Sequence, residues 1–360
     1  MKKYLFLMLL LLAVDTVSAA NWWEKIKVKG DFRYRHEMID EEDSDARHRH
    51  RIRARLGISG EVNSTMKVGI QLATGSDDPV STNQTLTDAF STKSIMLDKA
   101  YFTYMPTQLP GLEVTGGKFD NPFFKPGSSE LIWDSDWNPE GGVAEYKGKF
   151  DKISLTLLGA GLWIVERSSG DDSWLGAGQA VLGYTTEDEL TSVSFGGAFF
   201  NYVNTQGFAT FYEEGESMGN SLDGSDNYLN DFELLEAYLE ISHKFDKIPV
   251  VVMGDFVTNT AADSLDTGWL VGIHVGKAKK AGTWGMRYIY RELEKDAVVG
   301  TFTDSDFRGG GTDAKGHEIG GEYMLAENAA FNLSYFINTI GLEGAGSDFN
   351  RLQADLQLKF

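Results

Sequence analysis

With 33 basic and 53 acidic side chains among 360 residues, the chain carries a net charge of −20, which argues against a duplex nucleic-acid partner held through phosphate contacts. Cysteine is absent, so neither disulfides nor thiolate metal sites hold it together. Forty glycines against seven prolines, with 12% aromatic residues, favour many strands and tight turns over helices or disorder, and no linker-like stretch divides the chain.

The chain opens with Lys2 and Lys3, an apolar run from Tyr4 to Val14, and the small residues Ser18, Ala19 and Ala20. This is the pattern of a secretory signal peptide over residues 1–20, to be removed on export. Because that leader carries Lys2, Lys3 and Asp15, the remaining unit, 21–360, has a net charge near −21. The apolar run is too short to cross a bilayer as a helix, and no later stretch reaches the roughly 18 consecutive apolar residues such a helix needs. The exported chain is therefore expected to carry no helical anchor.

From residue 25 onward, segments with period-two alternation recur. They lie near 25–37, 47–59, 65–74, 95–105, 111–119, 142–150, 152–165, 175–185, 191–203, 232–245, 248–259, 267–277, 282–293, 315–325, 328–339 and 348–360. Met66, Val68, Ile70 and Leu72 oppose Lys67, Gly69 and Gln71. Leu235, Ala237, Leu239 and Ile241 oppose Glu236, Tyr238, Glu240 and Ser242. In 282–293 the aromatic stripe Trp284, Met286, Tyr288 and Tyr290 backs a face with Arg287 and Arg291. The last segment sets Leu352, Ala354, Leu356, Leu358 and Phe360 against Arg351, Gln353, Asp355, Gln357 and Lys359, ending on an aromatic residue.

Short connections, such as 61–64, 106–110, 246–247 and 278–281, alternate with long polar ones at 38–46, 75–94, 120–141, 166–174, 204–231, 260–266, 294–314 and 340–347. This is the pattern of an all-β transmembrane antiparallel β-barrel of sixteen strands, apolar toward lipid and polar toward the lumen, with short periplasmic turns and long external loops. A soluble propeller or sandwich also alternates. It requires neither the terminal aromatic nor the alternation of short and long connections, and no blade-sized repeat is present. Sixteen strands must close on themselves and leave an aqueous channel.

The segment 47–58 reads Arg-His-Arg-His-Arg-Ile-Arg-Ala-Arg-Leu-Gly-Ile. It puts Arg47, Arg49, Arg51, Arg53 and Arg55 on one face and His48, His50, Ile52, Ala54 and Leu56 on the other. The preceding strand adds Lys27, Lys29, Arg33 and Arg35 to the polar side, and closure brings Arg351 alongside. Each arginine turned to the bilayer midplane costs about 2–4 kcal/mol, so a row of them must face the lumen. Like charges at alternate positions repel and require counter-charges. The connection 120–141 offers Asp120, Glu130, Asp134, Asp136 and Glu140, with Trp133 and Trp137 as anchors and Pro122, Pro126 and Pro139 as stiffeners. The expectation is that this loop folds inward and turns its carboxylates on the arginines. The resulting narrow eyelet would have both signs on its rim, select weakly and lean toward anions. The acidic vestibule is the opposing influence, since it concentrates cations at the mouth.

Whole-chain organisation resembles the sixteen-stranded outer-membrane porins of Gram-negative bacteria, particularly the group called putative porins. The resemblance is carried by the strand 25–35, the basic strand after it, the segment Gly117-Lys-Phe-Asp-Asn-Pro-Phe-Phe124 and the terminal Phe360. It implies passage of ions and small hydrophilic solutes by passive diffusion, a third loop in the pore, a homotrimer in outer-membrane lipid, and recognition of Phe360 by the barrel assembly machinery. The neighbouring readings are a substrate-specific channel and a non-conducting barrel acting as a structural protein or adhesin; loop 204–231 is long enough to bind a partner.

Chemistry beyond transport has no carrier. His36, His48, His50, His243, His274 and His317 are scattered outside any ligand spacing, although His48 and His50 share a face. The runs Asp223-Gly-Ser-Asp-Asn227 and Asp304-Ser-Asp306 lack the closing glutamate of a calcium loop and read as solvated external loops. No local signature holds a nucleophile, so no enzyme, cofactor or metal is expected.

Overall fold

The computed structural model describes residues 25–212 and 215–360; the leader 1–20 lies outside them. The strands are β1 (Ile26–Glu41), β2 (Arg47–Asn63), β3 (Met66–Thr74), β4 (Gln84–Thr85), β5 (Ile95–Tyr104), β6 (Leu112–Lys118), β7 (Glu140–Phe150), β8 (Ile153–Val165) and β9 (Ser173–Thr185). They continue with β10 (Thr191–Val203), β11 (Glu233–Phe245), β12 (Ile248–Asn259), β13 (Thr267–Gly276), β14 (Trp284–Leu293), β15 (Ala314–Ala326), β16 (Ala329–Ile340) and β17 (Ser347–Lys359). Each long strand pairs antiparallel with its chain neighbour, and β17 returns to pair with β1 through Phe32↔Leu358 and Tyr34↔Leu356. The result is a closed barrel of sixteen staves. The two-residue β4 pairs onto β2 beside Arg51 and Ile52, a piece of strand inside what the sequence marks only as a loop.

Closure follows from the alternation. Val28, Ile58, Ile70, Leu157, Phe195, Leu239, Val252, Val271, Met286, Ile319, Leu333 and Leu356 are all exposed on the outer face, as a hydrocarbon-facing belt must be. At the seam, the backbone of Phe360 exchanges two 2.9 Å hydrogen bonds with Gly30. A Cβ at Gly30 would meet the Phe360 ring at 2.2 Å, so only glycine leaves room for the terminal aromatic there. On one rim the turns are tight. Asp151, Asp246 and Asn328 take the left-handed backbone that two-residue connections demand.

The opposite rim carries the long connections, and among the described residues four of them turn inward: loop 75–94 sends Asn83 to Arg33 and Thr82 to Asp136, and three others build an apolar core. Loop 119–139, loop 204–232 and loop 294–313 pack against the luminal faces of β8 to β14 near their long-loop ends. There Leu162, Leu175, Phe200, Tyr202, Leu234, Val257, Leu270 and Leu293 meet Phe123, Trp133 and Trp137 of the first loop, Phe211 and Tyr228 of the second, and Val298, Val299 and Phe302 of the third. The main hydrophobic core of this barrel therefore lies inside its lumen, against one wall.

Candidate pore constriction

The polar wall lies on β17, β1 and β2. Register places Arg33 opposite Arg53, Arg35 opposite Arg51, and Glu37 opposite Arg49. Alternation alone turns these groups inward, and each locked arginine has a definite partner. Arg35 holds Asp355 through Nε and Nη2 at 2.7 and 2.8 Å and approaches Asp306 at 3.3 Å. Arg351, 2% exposed, grips the fully buried Glu37 at 2.5 and 3.0 Å and reaches Asp306 at 3.0 Å. Arg49 also pairs with Glu37. Arg53 and Arg55 share Asp31, at 3.2 and 2.7 Å, and Asp136, at 3.2 and 3.4 Å.

The remaining arginines lie elsewhere. Arg47 is at the rim and exposed. Arg287 and Arg291 stand on β14, three strands from β17: the first pairs with Glu318, and the second pairs with Asp304 at 2.6 Å while stacking on Phe307 at 3.7 Å. His36, His48 and His50 occupy the outer face of β1 and β2, where His50 Nδ1 lies 2.9 Å from the Tyr34 hydroxyl, so they do not reach the lumen.

Loop 119–139 is tied down along its length. The backbone of Phe124 is bracketed by the Gln179 amide, at 2.7 and 3.1 Å. Gly127 N–H donates to Glu240 at 2.6 Å. Its backbone is left-handed, and a Cβ there would strike Met253 Sδ of β12. Trp133 and Trp137 stack at 4.1 Å. From this anchored frame Asp136 projects to Arg53 and Arg55 and accepts a 3.0 Å hydrogen bond from Thr82 of loop 75–94. Burial opposes its ionisation, yet Arg53, Arg55 and Arg33 together hold its carboxyl below the usual range.

The other acidic residues of that loop point elsewhere. Asp120 pairs with Lys99 of β5 at 2.6 Å and Glu140, the first residue of β7, with Lys118 at 3.0 Å, so both stay close to their own hairpin and away from the arginines. Asp134 accepts the N–H groups of Asp136 and Ser305, and Glu130 lies beside it. With Asp304 they bring carboxylate oxygens within 4.8 Å of one another. Burial and the nearby Asp304 push Glu130 up to about 8, and burial with Glu130 raises Asp134 well above the usual range. Asp304 is already committed to Arg291, so the crowding favours the protonated forms of Glu130 and Asp134.

The sequence reading missed the second acidic partner. Asp304 and Asp306 belong to no solvated loop: Asp304 is buried, and Asp306 docks between Arg35 and Arg351, whose Nη1 also donates to the carbonyls of Ser305 and Asp306. Arg351 and Arg35 draw the Asp306 carboxyl below its ordinary range despite its burial. The signal was in the sequence. Ala297, Val298, Val299, Phe302 and Phe307 are too apolar for a loop that faces water.

A family profile described as "Putative porin" matches residues 39–225 and 226–360. The chain belongs to that porin family. It is thus an outer-membrane channel protein of a non-enzymatic family. Among solved structures it is similar to Pseudomonas putida OprB at high pH, with a TM-score of 0.61, 9% identity and 94% of each chain covered. It is also similar to Salmonella typhi OmpF in complex with daunomycin, with a TM-score of 0.58, 10% identity, and 93% of this chain and 97% of that one covered. These likenesses concern the fold. No curated protein matches the sequence.

Proposed function

We propose that this porin is a passive diffusion channel for ions and small hydrophilic solutes, with a weak preference for anions set by the wall on β17, β1 and β2. The observation that carries this reading is the row of Arg33, Arg35, Arg51, Arg53, Arg55 and Arg351 facing Asp136 and Asp306, which reach it from two different inward loops. At 3.0–3.4 Å these are contact ion pairs, so the two loops narrow the lumen against this wall, and charged side chains lining what remains sort solutes by size first and sign second. Removal of residues 1–20, assembly through Phe360 and a homotrimer belong to the same proposal and rest on the family.

Inward loops pack on the apolar wall and extend to the arginine wall through Asp136 and Asp306, which favours a narrow passage and leaves a solute-selective channel as the second reading. Reconstitution of the purified barrel in a planar bilayer tests the proposal. Discrete open steps are expected, and Arg51→Glu with Arg53→Glu is expected to move permeability toward cations. An inserted, folded barrel without conductance would overturn the channel, and an unchanged ion preference would remove these residues from control.

A further inference from the structure

Seven guanidiniums in the polar wall meet five carboxylates, Asp31, Glu37, Asp136, Asp306 and Asp355, so the wall is not neutral. The excess can be located. Arg35, Arg49, Arg53, Arg55 and Arg351 are each engaged by at least one carboxylate at 3.4 Å or less. Among the described residues, the Arg51 side chain makes neither a hydrogen bond nor an ion pair, and its Nε–H is buried without an acceptor. Arg33 donates to the Asn83 amide oxygen at 2.6 Å, but its nearest carboxylate, Asp355, is 3.8 Å away and already held on both oxygens by Arg35. The Nε–H of Arg33 is likewise buried and unpaired.

Both side chains remain partly exposed, so a solute in the lumen can touch them. They are diagonal neighbours across the β1–β2 pair, one step apart along the wall. The buried Nε–H groups are out of a solute's reach, but the exposed part of each side chain belongs to a charge that no carboxylate closer than 3.8 Å answers, and a planar guanidinium is matched best by two oxygens of one anionic group. We infer that Arg33 and Arg51 are two successive stations for oxyanionic solutes, bearing carboxylate or phosphate groups, while the other five arginines hold the wall in shape. The inference rests on the conducting-porin reading and gives that reading its solute class.

The test uses the full barrel in a bilayer, with potassium chloride carrying current and inorganic phosphate or succinate added to one side. Each anion is expected to reduce the chloride current in a concentration-dependent way, and R33Q with R51Q is expected to raise the half-blocking concentration about tenfold or more. R51K should retain part of the block. R47Q, which removes the same charge at the rim, should leave it unchanged, and heat-modifiable gel mobility confirms that each variant is folded. Block by both anions fits the shared oxyanion chemistry, and block by one alone identifies which group the stations take. A conducting wild type insensitive to both, or R47Q weakening the block as much as the double variant, would overturn the stations and leave the diffusion channel standing. Failure of the inserted wild type to conduct would instead sink the channel reading itself.

Discussion

The luminal faces of β17, β1 and β2 and those of β8 to β14 follow the same inward alternation, yet the first is lined with arginines and the second, near its long-loop ends, mainly with leucine, phenylalanine and valine. On the first, the side chains meet carboxylates. On the second, they meet the apolar residues of three loops. Alternation says which residues point inward but not what waits for them there. The apolar wall is the anchor that lets Asp136 and Asp306 be aimed, and the arginine wall is what they are aimed at.

The largest effect is expected where the two regions depend on one anchor. Trp133→Ala removes a fully buried ring from the stacked pair with Trp137 and should cost about 3–5 kcal/mol of loop docking. Single-channel conductance should then rise and become noisy as Asp136 loses its frame; unchanged, quiet steps would show that the apolar wall does not position the constriction. Within the polar wall, Glu37→Gln strips Arg49 and Arg351 of their shared counter-charge in a buried place, at a cost of about 3–5 kcal/mol. Denaturant unfolding of the barrel, followed by gel mobility, reads this directly.

Acid should separate the two regions further. The carboxyl of Glu130 is raised from 4.5 to about 8 in the folded chain, so the folded state keeps a proton that the unfolded chain releases first. Its contribution is favourable to loop docking below about 4.5 and is lost as pH rises toward 8. Hydrogen-exchange protection of loop 119–139, corrected for the intrinsic base catalysis of exchange, should fall over that window, and Glu130→Gln should flatten the dependence. The smallest effect belongs to the solvated pairs: Glu140→Gln, beside Lys118, should change stability by less than about 1 kcal/mol.

The barrel was legible because its period is imposed by lipid. All sixteen long strands lie where the alternation puts them, with β1 running on to Glu41 and β2 to Asn63 beyond the expected ends. The arginine row was legible for the same reason, since guanidiniums are excluded from hydrocarbon. Their partners were not, because loops obey no period. Arg35 and Asp306 stand 271 positions apart, and only the folded loop brings them together. Asp120 and Glu140 misled for a local reason: Lys99 and Lys118 on the flanking strands are nearer to them than any arginine of the wall.

In the function proposed, ion preference is set by the wall on β17, β1 and β2 and not by the acidic surface of a chain with net charge −20. The zero-current potential of the reconstituted wild-type barrel across a potassium chloride gradient tests it most directly. An anion-favouring potential is predicted; a cation-favouring one would contradict the account and assign control to the acidic loops at the mouth.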